Sequence, residues 1–212
     1  MLSGLSILLI GASHMAAPGY LVSSLHDSLT KSGALVHSTG VCGLTPSAWL
    51  VETNGDCGGA ERVGSGPLHI AINRAAKTKP IAQMIEAEHP QLVVIVMGDT
   101  LAGYAEPYLP KQWASQEVRK LTGSIAKTNT ACVWVGPPWG AEGGASGKTY
   151  DRVKLTSDFL AVNVQPCAYI NSLKMSKPGE WPTADGMHFT PAGYKLWGEA
   201  IAHAVEQLPK PH

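Results

Sequence analysis

Five short hydrophobic runs recur along the chain, and stretches whose apolar residues have helical spacing separate them. The runs predict β-strands and the intervening stretches predict α-helices. The predicted strands are residues 5–10, 34–37, 92–97, 131–135 and 168–170. The predicted helices are residues 19–31, 80–89, 112–128, 150–164 and 191–207.

The third run reads LVVIVMG and has no polar alternation, which is typical of a strand that is covered on both faces. Together with the alternating order of strands and helices, this predicts a three-layer α/β/α sandwich around a central, mainly parallel five-stranded sheet. At 212 residues, we expect the whole chain, 1–212, to form a single domain. The glycine-rich segment 40–72 has no clear period and is predicted to be an irregular insertion near the functional site.

Charge and hydropathy narrow the range of partners. The chain has 16 Lys+Arg and 16 Asp+Glu, so it offers no net field to attract nucleic acid or an anionic membrane. The apolar run at 5–10 is too short to span a bilayer and lacks a basic flank, so it is interpreted as a strand. We therefore expect no nucleic-acid partner and no membrane span in this chain, and any export signal to have been removed before this numbering begins.

The four cysteines leave two interpretations open. Cys42 and Cys57 bracket part of the irregular segment, whereas Cys132 and Cys167 lie in or beside predicted strands. A disulfide between Cys42 and Cys57 would close a long loop and would suit an oxidising compartment. Alternatively, all four are free thiols that pack as small hydrophobes.

A serine follows the first predicted strand directly, in the stretch LLIGASHM. Ser13 thus lies at the carboxyl end of that strand, where open α/β sheets bind their ligands. A serine in this position is either the N-cap of the next helix or a nucleophile.

Asp185 and His188 lie three residues apart, just before a predicted helix that Pro191 opens. Taken alone, the two side chains would be capping or surface residues. Acyl transfer through a serine, however, needs a base for the hydroxyl proton and a carboxylate that fixes the tautomer of that base. In combination with Ser13, the Asp-x-x-His pair therefore favours a catalytic triad of Ser13, His188 and Asp185.

These motifs resemble the SGNH (GDSL-like) hydrolase superfamily across nearly the whole chain. The four matching blocks, each at the end of a predicted strand or before the last helix, are GASH at 11–14, STGVCG at 38–43, GDT at 98–100 and DGMH at 185–188. The resemblance implies a flavodoxin-like SGNH fold and a Ser-His-Asp esterase that forms an acyl-serine. It also implies that the backbone N–H groups of Ser13 and Gly43 receive the oxyanion, with Thr100 as the third donor.

Two positions depart from the family pattern. Ala12 stands where the family has aspartate, and Thr100 stands where it has asparagine. A threonine hydroxyl is shorter than an asparagine amide and can rotate away from the oxyanion. Losing one such donor costs on the order of a hundredfold in rate. Thr100 is therefore either a replacement donor or a structural residue.

The segments GPPWG and GEWPTADGMHFTPAGY resemble SGNH-type proteins of bacterial exopolysaccharide acetylation systems, such as those that modify cellulose or alginate. This implies an O-acetyltransferase or O-acetylesterase in the periplasm, or secreted, although a cytoplasmic location stays open. The implied partners are a polysaccharide or acetylated carbohydrate and other components of an acetylation complex. The alternative is a catalytically weak SGNH domain that binds or presents polysaccharide; a lipid or thioester hydrolase would need a long apolar groove, which no stretch supplies.

Four tryptophans are expected near the crevice, where flat faces suit sugar rings: Trp49, Trp134, Trp139 and Trp181. Trp139 and Trp181 are the predicted substrate-binding pair, although a tryptophan is more often a core residue.

His14 and Asp99 are further candidates for substrate contact. The alternative for His14 is a partly buried ring that a backbone carbonyl satisfies. The other histidines show no ligand spacing and no nucleotide-binding loop is present, so the sequence predicts neither a metal nor a cofactor.

Overall fold

The computed structural model describes residues 2–209 and forms one mixed sheet with helices on both faces. The strands are β1 Ser6–Gly11, β2 Leu35–Val41, β3 Gly59–Val63, β4 His69–Ala71, β5 Leu92–Val96, β6 Ala131–Val135 and β7 Ala168–Ile170. The helices are α1 Leu21–Lys31, α2 Ile81–Glu88, α3 Lys111–Ala126, α4 Tyr150–Asn163 and α5 Pro191–Glu206. All five predicted strands and all five predicted helices are present, with bounds that differ by at most two residues except at the end of β2, which extends four residues beyond the prediction.

The sheet has the order β4-β3-β2-β1-β5-β6-β7, with the five predicted strands parallel to one another. The expectation of five strands is wrong, because the sheet has seven. The additional strands, β3 and β4, are antiparallel and lie within the segment 40–72 that was expected to be irregular. Both are short and partly exposed at the sheet edge, so their sequences lack the hydrophobic continuity that marks a central strand.

The central strands are buried on both faces, as the continuous hydrophobic runs predicted. In β1, Ile7 and Leu9 pack in one core layer with α1 and α5, whereas Leu8 and Ile10 pack in the other with α2, α3 and α4. Because side chains alternate along a strand, one run of apolar residues fills two layers. The ends of the parallel strands therefore meet at a single edge of the sheet.

Two glycines allow the chain to turn closely over that edge. A short 3-10 turn, Ser13–Met15, follows β1, and Gly11 lies beside Gly40 in the register of β1 and β2. A Cβ on Gly40 would lie 2.5 Å from the backbone carbonyl carbon of Met15, and one on Gly11 would lie 2.4 Å from the Met15 side chain. Glycine at both positions lets Met15 pack onto the strand ends, and this fixes the position of Ser13.

Both pairs of cysteines form disulfides in the structure. Cys42, directly after β2, is joined to Cys57, two residues before β3. Cys132 in β6 is joined to Cys167, which precedes β7. The alternative of four free thiols therefore does not describe this structure. Of the helices within residues 2–209, none combines the length and the apolar character needed to cross a membrane.

Replacing Gly40 with alanine is expected to lower the free energy of unfolding by about 1–3 kcal/mol, because the new methyl group would overlap the backbone of Met15. Gly123→Ala is the matched control: it lies in α3, where an added Cβ meets no atom within 4 Å. That change should raise the free energy of unfolding by roughly 0.5–1 kcal/mol. Urea denaturation measures both, and equal stability of the two variants would contradict the packing described.

Candidate active site

The structure brings Ser13, His188 and Asp185 into direct contact. The Nε2 atom of His188 lies 2.8 Å from the Oγ atom of Ser13. On the other side of the ring, Nδ1 of His188 lies 2.8 Å from Oδ2 of Asp185. Residues that are 175 positions apart in sequence therefore form one continuous hydrogen-bonded chain.

The Asp185 carboxylate is anchored by its own loop. Its Oδ1 atom accepts the backbone N–H groups of Met187 and His188 at 2.9 and 2.7 Å. Partial burial would raise the pKa of Asp185, but the hydrogen bonds from the His188 ring and these N–H groups lower it below its usual value. The ionised carboxylate accepts a hydrogen bond from Nδ1–H of His188. In this tautomer, Nε2 carries no proton and can accept a hydrogen bond from the Ser13 hydroxyl.

A glycine-rich segment, residues 140–147, holds this loop from outside. The N–H of Ala141 donates to the carbonyl of Gly186 at 2.8 Å. A Cβ on Gly144 would lie 2.1 Å from the carbonyl oxygen of Asp185, so only glycine permits this approach. The glycines of this segment therefore allow it to pack closely against the loop that carries Asp185 and His188.

Two tyrosines that sequence reasoning missed form a stack beside the His188 ring. Tyr20 stacks on His188 with ring centroids 6.0 Å apart and planes inclined by 25°. Tyr20 also stacks on Tyr194 of α5 at 4.2 Å. The aromatic spacing gave no signal for this role, because the two tyrosines lie in different helical regions that meet only in the folded chain.

His14 points away from Ser13 into a buried polar network. Its Nε2 lies 2.7 Å from Oδ2 of Asp99, and its Nδ1 lies 2.8 Å from the hydroxyl of Tyr194. Burial lowers the pKa of His14 despite the hydrogen bond to Asp99. A neutral ring fits both partners, since Nε2–H then donates to the carboxylate and Nδ1 accepts the tyrosine proton. The expected backbone-carbonyl partner of His14 is therefore replaced by two side chains.

Asp99 lies at the centre of this network and is buried, so its expected contact with substrate does not fit the structure. Lys148, whose side chain is 0% exposed, donates to both carboxylate oxygens at 2.9 and 3.0 Å. The hydroxyl of Tyr104 donates to the same carboxylate. Burial would raise the pKa of Asp99, but Lys148 and His14 together hold it below its usual value. Nothing in the sequence around Lys148 marked it as a buried ion-pair partner.

The predicted oxyanion residues lie at the same edge of the sheet. Gly43 follows β2, the parallel neighbour of β1, and has a positive φ of 83°. A Cβ there would lie 2.6 Å from Oδ2 of Asp56, so the conformation and the space both require glycine. Thr100 directly follows Asp99, and its hydroxyl is buried with no hydrogen-bond partner within residues 2–209. A buried hydroxyl without a partner is costly, so the role of Thr100 as a donor stays a prediction that this geometry allows.

The tryptophans are arranged differently from the prediction. Trp49, Trp134 and Trp181 are core residues, at most 8% exposed, so Trp181 does not present a face to substrate. Trp139 is half-buried and its N–H donates to the carbonyl of Leu173 at 3.0 Å, and a role in substrate binding stays a prediction for it. The exposed indole is Trp113, in the first turn of α3, which the sequence reading missed because its neighbours there are polar. Within residues 2–209, no group of His, Cys, Asp and Glu side chains is placed to hold a metal ion.

Solved structures with this fold are hydrolases of the SGNH/GDSL type. A candidate SGNH hydrolase from Slackia heliotrinireducens is 19% identical, with 96% of this chain and 100% of that chain covered and a TM-score of 0.61. An acetyl xylan esterase is 13% identical, with 94% and 99% covered and a TM-score of 0.60. A GDSL-like lipase from Bacteroides thetaiotaomicron is 13% identical, with 95% and 87% covered and a TM-score of 0.56. The chain therefore has the SGNH hydrolase fold, as the sequence motifs implied.

One protein with a similar sequence matches almost the full length of this chain. Protein BcsX of Komagataeibacter xylinus is 42% identical over 206 residues, which cover 97% of this chain and 78% of BcsX. The chain belongs to the family of protein BcsX and has the fold of SGNH hydrolases. No protein-family model matches the sequence.

Replacing Lys148 with methionine is expected to lower the free energy of unfolding by about 3–5 kcal/mol, because it leaves the buried Asp99 carboxylate without its counter-charge. The matched control is Lys154→Met, which breaks the exposed pair with Asp158 on α4. That control should leave the denaturation midpoint nearly unchanged, since exposed pairs contribute little. Urea titrations of both variants test this, and an unchanged midpoint for Lys148→Met would show that the buried pair is not needed for stability.

Proposed function

We propose that the protein is a serine-dependent enzyme that transfers acyl groups of carbohydrate O-acetyl esters, as an O-acetylesterase or an O-acetyltransferase. The hydrogen-bonded chain from Ser13 through His188 to Asp185 is the observation that carries this proposal. It supplies a nucleophile, a base in the correct tautomer and a carboxylate that holds that base.

In the proposed reaction, Oγ of Ser13 attacks the ester carbonyl while Nε2 of His188 takes the hydroxyl proton. The tetrahedral intermediate collapses, the bond to the sugar oxygen breaks, and His188 returns the proton to that oxygen. The acetyl group is then bound to Ser13. Attack by water gives acetate and completes hydrolysis, whereas attack by a second sugar hydroxyl completes transfer.

The oxyanion is proposed to bind to the backbone N–H groups of Ser13 and Gly43 and to the hydroxyl of Thr100. The location of Ser13 and Gly43 after adjacent parallel strands supports the first two donors. The buried hydroxyl of Thr100 without a protein partner supports the third, because a preorganised donor needs no rearrangement when negative charge develops.

A carbohydrate acetyl ester is proposed as the substrate on the basis of sequence resemblance and fold. The GPPWG and Asp-x-x-His segments resemble SGNH-type proteins of exopolysaccharide acetylation systems. The similarity in fold to an acetyl xylan esterase agrees with this substrate class. Two disulfides support a periplasmic or secreted location, because disulfides persist in oxidising compartments. The proposed partners are a polysaccharide and other components of its acetylation system.

Covalent labelling of Ser13 tests the proposed chemistry. A fluorophosphonate probe should label the wild-type protein and fail to label Ser13→Ala, as read by intact-mass spectrometry, because Ser13 is the one activated hydroxyl of the proposed site. Ser65→Ala, in an exposed turn, is the matched control and should label as the wild type does. With an acetyl-ester donor and an oligosaccharide acceptor, free acetate indicates hydrolysis and acetylated sugar indicates transfer. A folded wild-type protein that is never labelled would favour a polysaccharide-binding domain without catalysis.

Replacing Thr100 with valine should lower kcat by on the order of a hundredfold with little change in KM, because the hydroxyl is proposed to act on the transition state. Thr100→Ser keeps the hydroxyl and should retain most of the activity. Steady-state kinetics with an acetyl ester measure both variants. Equal kcat values for valine and serine would remove Thr100 from the oxyanion site.

A further inference from the structure

An open pocket of about 480 Å³ lies beside Thr100. Its wall is formed by the chain between the end of β5 and the first turn of α3, and includes Glu106, Tyr108, Pro110 and Trp113. The pocket contains none of the triad residues. It begins, however, at the residue whose buried hydroxyl lacks a partner, so it adjoins the proposed oxyanion site.

The loop that forms this wall is held in place by Arg152 of α4. The guanidinium group donates to the carbonyl oxygens of Ala102, Gly103 and Glu106 at 2.9, 2.5 and 2.9 Å. Gly103 has a positive φ of 56°, and a Cβ there would lie 2.8 Å from Pro110. A loop whose carbonyls converge on one half-buried guanidinium group is held in a defined conformation, so the pocket is a formed feature of the fold.

This fixed loop exposes two large aromatic side chains. Tyr108 is 81% exposed and Trp113 is 38% exposed, whereas the other tryptophans named above are buried or half-buried. Exposed aromatic surface on a rigid wall is typical of a binding site rather than of a solvated loop. Flat aromatic faces with a polar edge suit the C–H faces and hydroxyl groups of a sugar ring.

A chain of neighbouring residues connects the pocket to Ser13. Thr100 adjoins Asp99, the Asp99 carboxylate binds His14, and His14 adjoins Ser13. Because Thr100 itself lines the pocket, a sugar bound there would border one of the residues that are proposed to hold the oxyanion.

The charge of the pocket is expected to favour neutral sugars over anionic ones. Glu106 is the only charged residue among those that line it. Its carboxylate can accept hydrogen bonds from sugar hydroxyls, and it would repel the carboxylate of a uronate. The nearby guanidinium of Arg152 is engaged with backbone carbonyls.

We propose that this pocket is the carbohydrate subsite of the enzyme and that it binds a neutral pyranose ring of a polysaccharide against Trp113 and Tyr108. This inference rests on the proposed function for the identity of the ligand. It adds to that function the location of the subsite and a preference for neutral over anionic glycans.

Calorimetric titration of the Ser13→Ala protein tests the proposal without turnover. A neutral β-linked gluco-oligosaccharide should bind, and an oligouronate of the same length should bind on the order of tenfold more weakly. Adding Trp113→Ala or Tyr108→Ala should weaken binding of the neutral glycan by on the order of tenfold. Leu155→Ala is the matched control, since Leu155 is half exposed on α4 and lies outside the pocket. Glu106→Gln should narrow the difference between the two glycans.

Unfolding midpoints of all variants establish that they are folded, and the exposed Tyr108 gives a variant that does not disturb packing. Unchanged affinity in both aromatic variants, or equal binding of the oligouronate, would overturn the proposal. If Ser13 of the wild type is labelled but no neutral glycan binds, the subsite is wrong and the acyl-transfer chemistry stands. If the glycan binds through Trp113 and Ser13 is not labelled, the subsite stands and the chemistry is wrong.

Discussion

The buried carboxylate of Asp99 joins segments that are far apart in the sequence. It accepts hydrogen bonds from His14 next to Ser13, from Tyr104 in the pocket loop, and from Lys148 at the end of the glycine-rich segment. Because a buried charge is stable only when it is paired and fully hydrogen-bonded, these three segments are held in one arrangement. The nucleophile, the pocket wall and the segment that supports the Asp185 loop therefore share a common anchor.

Two histidines lie next to each other in this arrangement but have different environments. The rings of His14 and His188 are 5.1 Å apart. His14 is buried between Asp99 and Tyr194, and burial lowers its pKa. His188 is more exposed and faces the Ser13 hydroxyl. Both rings contact a carboxylate, but they differ in burial and in the second hydrogen-bond partner. That partner is a tyrosine hydroxyl for His14 and the Ser13 hydroxyl for His188. This difference makes His14 a positioning residue and His188 the candidate base.

Thr100, which stands where the SGNH family pattern has asparagine, directly precedes the loop that forms the pocket wall. The hydroxyl of Thr100 is buried and has no hydrogen-bond partner within residues 2–209. Thr100 also lines the pocket that contains the exposed side chains of Tyr108 and Trp113. The loop is held by Arg152 through its backbone carbonyls and by the hydrogen bond from Tyr104 to Asp99. Thr100 and the loop therefore border the same pocket.

The sequence by itself determined the five parallel strands, the five helices and the motifs that place Ser13, Gly43, Thr100, Asp185 and His188 at one sheet edge. These features depend on local periodicity and on residues that lie close to strand ends, so they can be read along the chain. The antiparallel strands β3 and β4 could not be read from the sequence, because the pairing of β3 with β2 and of β4 with β3, rather than hydrophobicity, forms them. Only the tertiary structure decided that Lys148 pairs with Asp99, that Trp181 is a core residue and that Trp113 is exposed. Such roles depend on which distant segments meet and on how much water the meeting excludes, and neither quantity is encoded in local spacing.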